Sequence, residues 1–382
     1  MKHTGKDKIV LWSIFLLALL VRLVVLLPQY SGDVKNHVAW GMGFLVQSLG
    51  LFGRHFPGFN DINYPSAAIL IFGFVEWLYR SLNSFFIFIN NSVSFFPSFL
   101  VPFLNWENTH IAFYKLPGLI SDLGTGWIIY LFSRRLKRRS LVPTLLYLFN
   151  PAVIYTSSVW GQIEPINIFF LVLSLYFGTE KKPRYLYYSL ISFTFSALIK
   201  QTALWFLPFY LILWFKNSKI KEIFVGLVYS LIIFFVSYLP FGLQPLSAIQ
   251  NYLSTLTGST FLAADQAWNI WYFIFPKGTQ DSLSLGIFSL RTFSIIILGI
   301  SLAYLLFNSL KHYSGQKLLV NLFIWSLLVF FLQTRVHERH LAFAISFFWL
   351  AFPVDLRSIL GFVSLSAFHL FNLYSSLRLP FL

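Results

Sequence analysis

The sequence predicts an all-α fold, a polytopic integral membrane protein built as a bundle of about 11–13 transmembrane helices. Three observations predict it. Of the 382 residues, 57% are hydrophobic and only 11% are charged, a balance foreign to soluble domains of this size. Several apolar runs reach the roughly 17–25 residues that a helix needs to cross a bilayer, where backbone polar groups must be satisfied within the segment. These runs also lack the apolar–polar alternation of a membrane β-strand.

Taken in order, the first run, Ile9 to Pro28, follows Lys2, Lys6 and Lys8. It is longer than a secretory h-region, is interrupted by Arg22 and precedes no small-residue cleavage pattern, so it reads as a retained anchor. Later candidate spans are roughly 111–132, 141–157, 163–178, 185–199, 201–216, 222–240, 285–308, 317–333, 340–354 and 357–376. Between them and the anchor lies a long loop, about 29–110. Within it, Tyr64–Arg80 and Phe85–Leu104 form either two spans or two interfacial helices. Asn90-Asn91 and the Ser94-Phe-Phe-Pro97 break favour the interface, which gives about 11 spans rather than 13. No repeat or soluble domain interrupts the chain, so 1–382 reads as one domain.

The formal net charge of +15 would suit nucleic acid were it spread over one face. Instead, 17 of the 28 Lys and Arg fall in alternate connections, among them Lys2–Lys8, Arg134–Arg139, Lys181–Arg184 and Lys216–Lys221. By the positive-inside rule those connections and the N-terminus are cytoplasmic, and no nucleic-acid partner is expected. The other side then holds the first loop, Trp160–Pro165, 241–284 and Thr334–His340. Polar residues collect there. With no cysteine in the chain, thiolate chemistry and Cys-based metal sites are excluded.

In the first loop, Asp33 and His37 share one helical face at i,i+4, with Trp40 following. A carboxylate at a membrane–water boundary suits a general base, although Ser31-Gly-Asp33 is also good N-cap material. Asp61-Ile-Asn-Tyr64-Pro65 marks a second acid and a helix start. Lys115 and Asp122 lie inside a candidate span, where ionisable groups face a partner or a cavity. Asn150-Pro151 breaks the run from Leu141 to Trp160, or kinks it beside a cavity, and Gln162 and Glu164 predict a tight turn. Lys200 either snorkels or faces inward to an anion. Arg335, His337, Arg339 and His340 place four potential cations at one helix mouth, a set that suits phosphate oxygens. His337 and His340 at i,i+3 make a weak metal signal.

In collinear order, Arg22-Leu23, Asp33, Trp40, Asp61-Ile-Asn-Tyr64-Pro65, Lys115-Leu-Pro117, Asp122-Leu, Asn150-Pro151-Ala-Val-Ile154, Trp160-Gly-Gln162, Lys200-Gln201, Trp268-Asn269-Ile-Trp271 and His337-Glu-Arg339 resemble the Gpi18-like mannosyltransferases of prokaryotes, within the GT-C glycosyltransferases. The resemblance covers nearly the whole length. The chain departs from the family pattern at Ser66, Glu164 and Gln201, where the family carries Pro, Asp and Pro. It implies an inverting transfer of a hexose, mannose by family, from a polyprenyl-phosphate-linked donor to a glycan, glycolipid or protein acceptor on the outer face of the plasma membrane. Asp33 then occupies the place of the base, with Asp61 a second acid. Arg339, His337 and Lys200 would hold the donor phosphate. His37, Trp40, Tyr64, Gln162, Glu164, Trp268 and Asn269 would line the substrate site. The scheme calls for no cofactor and no metal. The alternative is a multi-pass lipid or solute transporter or flippase, for which inverted repeats and helices broken at the midplane are expected. A ligase joining preformed lipid-linked glycans would need a longer soluble loop.

Overall fold

The computed structural model describes residues 5–137, 140–180, 182–256, 260–311 and 313–380. The described residues are mostly helical. Its helices are α1 (Gly5–Leu26), α2 (Gly32–Val46), α3 (Ser66–Ser92), α4 (Leu100–Asn105), α5 (Glu107–Arg135), α6 (Val142–Leu148), α7 (Pro151–Ile154), α8 (Glu164–Gly178), α9 (Pro183–Ile199), α10 (Leu207–Asn217), α11 (Ile220–Tyr238), α12 (Pro245–Thr255), α13 (Ile270–Ile274), α14 (Leu290–Lys311), α15 (Gly315–Leu332), α16 (Ala342–Ala351) and α17 (Leu356–Leu377). A two-stranded hairpin, β1 (Ser284–Leu285) with β2 (Phe288–Ser289), precedes α14.

Among the described residues, five stretches are long and apolar enough to cross a membrane: Lys8–Leu26, Ile220–Phe241, Leu290–Lys311, Gly315–Leu332 and Leu356–Leu377. Except in Gly315–Leu332, which is half buried, many of their large apolar side chains are exposed, Phe224, Ile300 and Phe371 among them. That is the inverse of a soluble bundle. The other helices are shorter, or carry buried polar residues such as Lys115 and Asp122 in α5.

Three expectations are corrected. Residues 64–104 are not two separate segments: α3 runs unbroken to Ser92, because nothing in Leu82-Asn83-Ser84 stops a helix and the first proline is Pro97. The candidate span 141–157 is not one helix but is broken at Asn150-Pro151. The side chain of Asn150 accepts from the Ala152 amide at 2.9 Å and so starts a new helix, which passes into a π-helical turn over Tyr155–Trp160. The third concerns 285–308, whose first residues belong to the hairpin, turned at Gly286 with φ 73°.

Two large apolar cores, with three smaller clusters among the described residues, hold the helices. The larger draws on α5, α6, α8 to α10 and α14 to α17; the smaller packs α2 and α3 against α5 and α11. In the smaller core Glu76 of α3 is fully buried and accepts from the Tyr114 hydroxyl at 3.0 Å, with His110 at 2.6 Å and Arg80 at 2.7 Å beside it. These contacts lock α3 to α5. Ser66 pairs with Ser237 at 2.6 Å and ties the start of α3 to α11.

Lys115 and Asp122 do not pair with each other. The Lys115 ammonium donates to the carbonyls of Leu26 (2.8 Å), Gln29 and Ser158 (3.2 Å), closing the C-terminal end of α1 against the π-helical turn. Asp122 lies 3.6 Å from Arg22, both buried.

One close helix approach is testable. A Cβ on Gly41 would stand 2.7 Å from the Phe72 carbonyl oxygen and press on the Tyr114 hydroxyl. Gly41→Ala is therefore expected to cost about 1–3 kcal/mol, read as a lowered melting temperature in detergent. An unchanged melting temperature would contradict this α2–α3–α5 contact.

Candidate active site

A cavity of about 1000 Å³ opens between the two cores, with Trp40 and Tyr64 of the smaller and Leu298 and Trp325 of the larger on its wall. Its polar end gathers residues from four breaks in the helical structure.

The first break is the turn from α1 into α2. Ser31 is the N-cap, and its hydroxyl donates to the Trp160 carbonyl at 3.1 Å rather than to its own helix. Asp33 is thus not the cap. It sits in the first turn of α2, half-exposed to the cavity, and its Oδ2 accepts from Gln162 Nε2 at 2.5 Å. One turn on, His37 is buried and stacks on Phe72 at 4.3 Å, with Trp40 and Tyr64 beside it. Burial holds its imidazole at about 4, below its ordinary value.

The second break follows the π-helical turn. Gly161 takes φ 83°, where a Cβ would crowd Lys115 and Val34, and Pro165 starts α8. Glu164 therefore stands in the first helical turn. It is completely buried.

The third break is Lys200, in extended backbone between α9 and a 3-10 turn. Asn167, one turn along α8 from Glu164, donates to the carbonyls of Lys200 (2.8 Å) and Ser196 (3.2 Å), and the Ser196 hydroxyl donates back to the Asn167 carbonyl at 2.9 Å. This polar clasp faces Lys200 inward, where its ammonium pairs with Glu164 Oε1.

The fourth break is the 3-10 turn Glu338–Leu341. Arg339 donates from Nε to the same Glu164 oxygen at 3.0 Å and from Nη1 to Glu338 Oε1 at 3.1 Å, and lies 3.8 Å from Asp33 Oδ2. Asn372 of α17 clamps the turn, donating to the Glu338 carbonyl at 3.1 Å and accepting from the Trp268 amide at 2.9 Å.

The sequence-based site list divides accordingly. Asp33, His37, Trp40, Tyr64, Lys200, His337 and Arg339 line the cavity. Gln162 and Glu164 stand behind this wall and hold Asp33, Lys200 and Arg339 in place. Asp61 does not reach it: that exposed carboxylate accepts from the Phe56 amide and pairs with His55, each at 3.0 Å, within its own loop. Trp268 and Asn269 are also off the wall. Asn269 is buried, donating to the Gln333 carbonyl at 3.2 Å and capping α13.

The four expected cations at 335–340 reduce in number. Arg335 forks onto Asp281 at 2.5 and 3.2 Å. His337 is pushed well below its ordinary value by burial and by the Arg339 and His340 beside it; its Nδ1 lies 3.3 Å from Asp265. Among the described residues no three His, Cys, Asp or Glu are placed to share a metal. Asp265 was missed, although an acid in an outer loop poor in acids was a usable signal. Burial lifts its carboxyl above the ordinary range.

No family model matches the chain, and no curated protein matches it significantly.

Two contrasts test this arrangement. Glu164→Gln leaves Lys200 and Arg339 buried without their shared counter-charge and is expected to cost about 3–5 kcal/mol. Asp33→Asn, at a half-exposed site, is expected to cost less than about 1 kcal/mol. Melting curves in detergent compare them, and equal losses would contradict the buried role of Glu164. The second contrast concerns pH. Because the folded-state value of His37 lies below the unfolded one, the unfolded chain takes up a proton first. The contribution of the neutral ring is whole above pH 6.5 and is lost as pH falls toward about 4, by roughly 3 kcal/mol. His37→Phe, which keeps the stack on Phe72, is expected to flatten this part of the melting-temperature profile. A variant profile as steep as wild type would contradict it.

Proposed function

We propose that the protein is an inverting GT-C-type glycosyltransferase that moves a hexose from a polyprenyl-phosphate-linked donor to an acceptor hydroxyl on the outer face of the plasma membrane. The observation that carries this reading is the meeting of Asp33, Arg339 and Lys200 at the polar end of one cavity whose other end is apolar. That end is walled by Ile295, Leu298, Gly299 and Leu302 of α14 with Trp325 of α15. α14 is one of the helices long and apolar enough to cross a membrane, so a lipid tail can leave the cavity along it while its phosphate stays at the polar end.

The chemistry follows from the groups present. The acceptor oxygen attacks the anomeric carbon, and its proton passes to Asp33 as the new C–O bond forms. The bond from the anomeric carbon to the phosphate oxygen breaks with its electron pair, releasing polyprenyl phosphate. Charge grows on that oxygen, and Arg339 and Lys200 are the cations that stabilise it. Both are fixed beforehand by Glu164, so little reorganisation accompanies the reaction. Gln162 holds Asp33 Oδ2 and aims the other carboxylate oxygen. Trp40 and Tyr64 offer aromatic faces to the sugar. On this reading the bundle is polytopic, with its N-terminus cytoplasmic and the helix breaks at the outer face, and the acceptor is a glycan, glycolipid or protein.

Transfer of radiolabelled mannose from synthetic polyprenyl-phosphate-mannose to a membrane extract tests the proposal. Wild type is expected to transfer, and Asp33→Asn to lose about 10²–10⁴-fold while keeping its melting temperature. Equal transfer by both would move the base to the Asp265–His337 pair. No transfer by wild type, with the glucose donor also inert, would overturn the enzyme reading in favour of a transporter or flippase.

A further inference from the structure

Behind Arg339 lies a side chain that the mechanism above does not use. His340 is buried, 5% exposed, and lines the cavity. Its Nδ1 accepts from the backbone N–H of His337 at 3.1 Å. A ring nitrogen that accepts carries no proton, so the neutral ring must carry its hydrogen on Nε2. Protonating the ring would break the bond to His337. The ring plane is fixed as well: it meets the Trp205 indole edge-on, centroids 5.0 Å apart at 83°, and Trp205 is itself held through its carbonyl by Trp325 Nε1 at 2.7 Å.

The Nε2–H so defined has no hydrogen-bond partner among the described residues. Glu164 Oε1, already shared by Lys200 and Arg339, is 4.0 Å away, beyond hydrogen-bond reach. Buried donors in folded proteins are nearly always satisfied. One held in a single tautomer and plane, in a cavity-lining residue beside two cations but with its own surface covered by neighbouring side chains, can take an acceptor from a ligand that parts them.

We infer that His340 Nε2–H is a neutral hydrogen-bond donor to the phosphodiester oxygen of the lipid ligand held by Arg339 and Lys200. The inference rests on the donor class proposed above and adds a third, uncharged contact to it. A neutral donor serves here because a third positive charge would be repelled by Lys200 and Arg339, whereas an N–H dipole can be kept permanently aimed.

The test uses the purified full chain in detergent and methyl farnesyl phosphate, a prenyl phosphodiester without a sugar, as the probe. Binding is read by tryptophan fluorescence. His340→Phe removes the donor and is expected to weaken binding about tenfold or more; His340→Gln restores an N–H near the Nε2 position and is expected to recover most of that loss. A His340→Phe variant that melts like wild type and binds within twofold of it would overturn the inference, as would a His340→Gln variant no better than Phe. Should the Phe variant fail to fold, nitrogen-15 histidine spectra of wild type decide. The Nε2–H resonance that is missing in His340→Gln is expected to shift on adding the probe, and an unmoved resonance overturns the inference. Displacement of the probe by an equal concentration of inorganic phosphate would reassign the site to free phosphate. Failure of wild type to bind the probe at all would overturn the donor class and this contact with it, whereas binding insensitive to His340 would overturn this contact alone.

Discussion

A carboxylate removed from water keeps its charge only if opposite charge comes with it, and the buried Glu164 has two such partners on different elements. Lys200 and Arg339 both converge on its Oε1. Each would be costly to bury alone, and each is held by the same oxygen atom. Through that atom α8, the α9 break and the 3-10 turn before α16 are tied to one point, and Arg339 carries the tie on toward Asp33. The candidate site is therefore a consequence of one charge being buried. If that charge is removed, Lys200 loses its paired carboxylate and Arg339 is left with Glu338.

The four charged groups that meet at the polar end each lie where a helix starts, stops or changes form. Asp33 opens α2, Glu164 opens α8, Lys200 separates α9 from its successor, and Arg339 sits in a 3-10 turn. In a chain that crosses lipid, irregular backbone is tolerable only where it is buried in protein or lines a cavity, because its freed N–H and C=O groups need partners. The chain supplies those partners one by one. Lys115 caps the end of α1 and a carbonyl of the π-helical turn, Asn167 and Ser196 clasp the break at Lys200, and Asn372 clamps the loop at 268 to the turn at 338. The site and these scaffolding polar residues belong to the same design.

Much of the fold was readable from composition and charge. The helical class follows from the apolar runs, and the polar ends of the later segments place Lys200 and Arg339 among the residues to watch. Local pattern misled where a side chain's partner lies far off in sequence. Ser31-Gly-Asp33 has the spacing of a cap, yet the Asp33 partner is Gln162, 129 residues on. Asp61 sits in a matching motif, yet His55 and the Phe56 amide claim it locally. Glu164 and Gln162 were readable as polar groups near the site, but not as its inner support, because burial depends on three segments that meet only in the fold. The run 335–340 offers four basic side chains around Glu338, and only the fold reveals that Asp281 takes Arg335 and that burial with the neighbouring Arg339 and His340 lowers the pKa of His337.

The central claim is that Glu164 presets Arg339 and Lys200 to receive a lipid-linked phosphate opposite Asp33. A cryo-electron microscopy structure of the protein in a lipid nanodisc with a non-transferable prenyl phosphonate sugar analogue tests it most directly. The expected result is a phosphonate in contact with Arg339 and Lys200, a sugar whose anomeric carbon faces Asp33, and a prenyl chain along α14. A phosphonate bound away from these cations, or a cavity found open alternately to the two sides of the membrane, would contradict it.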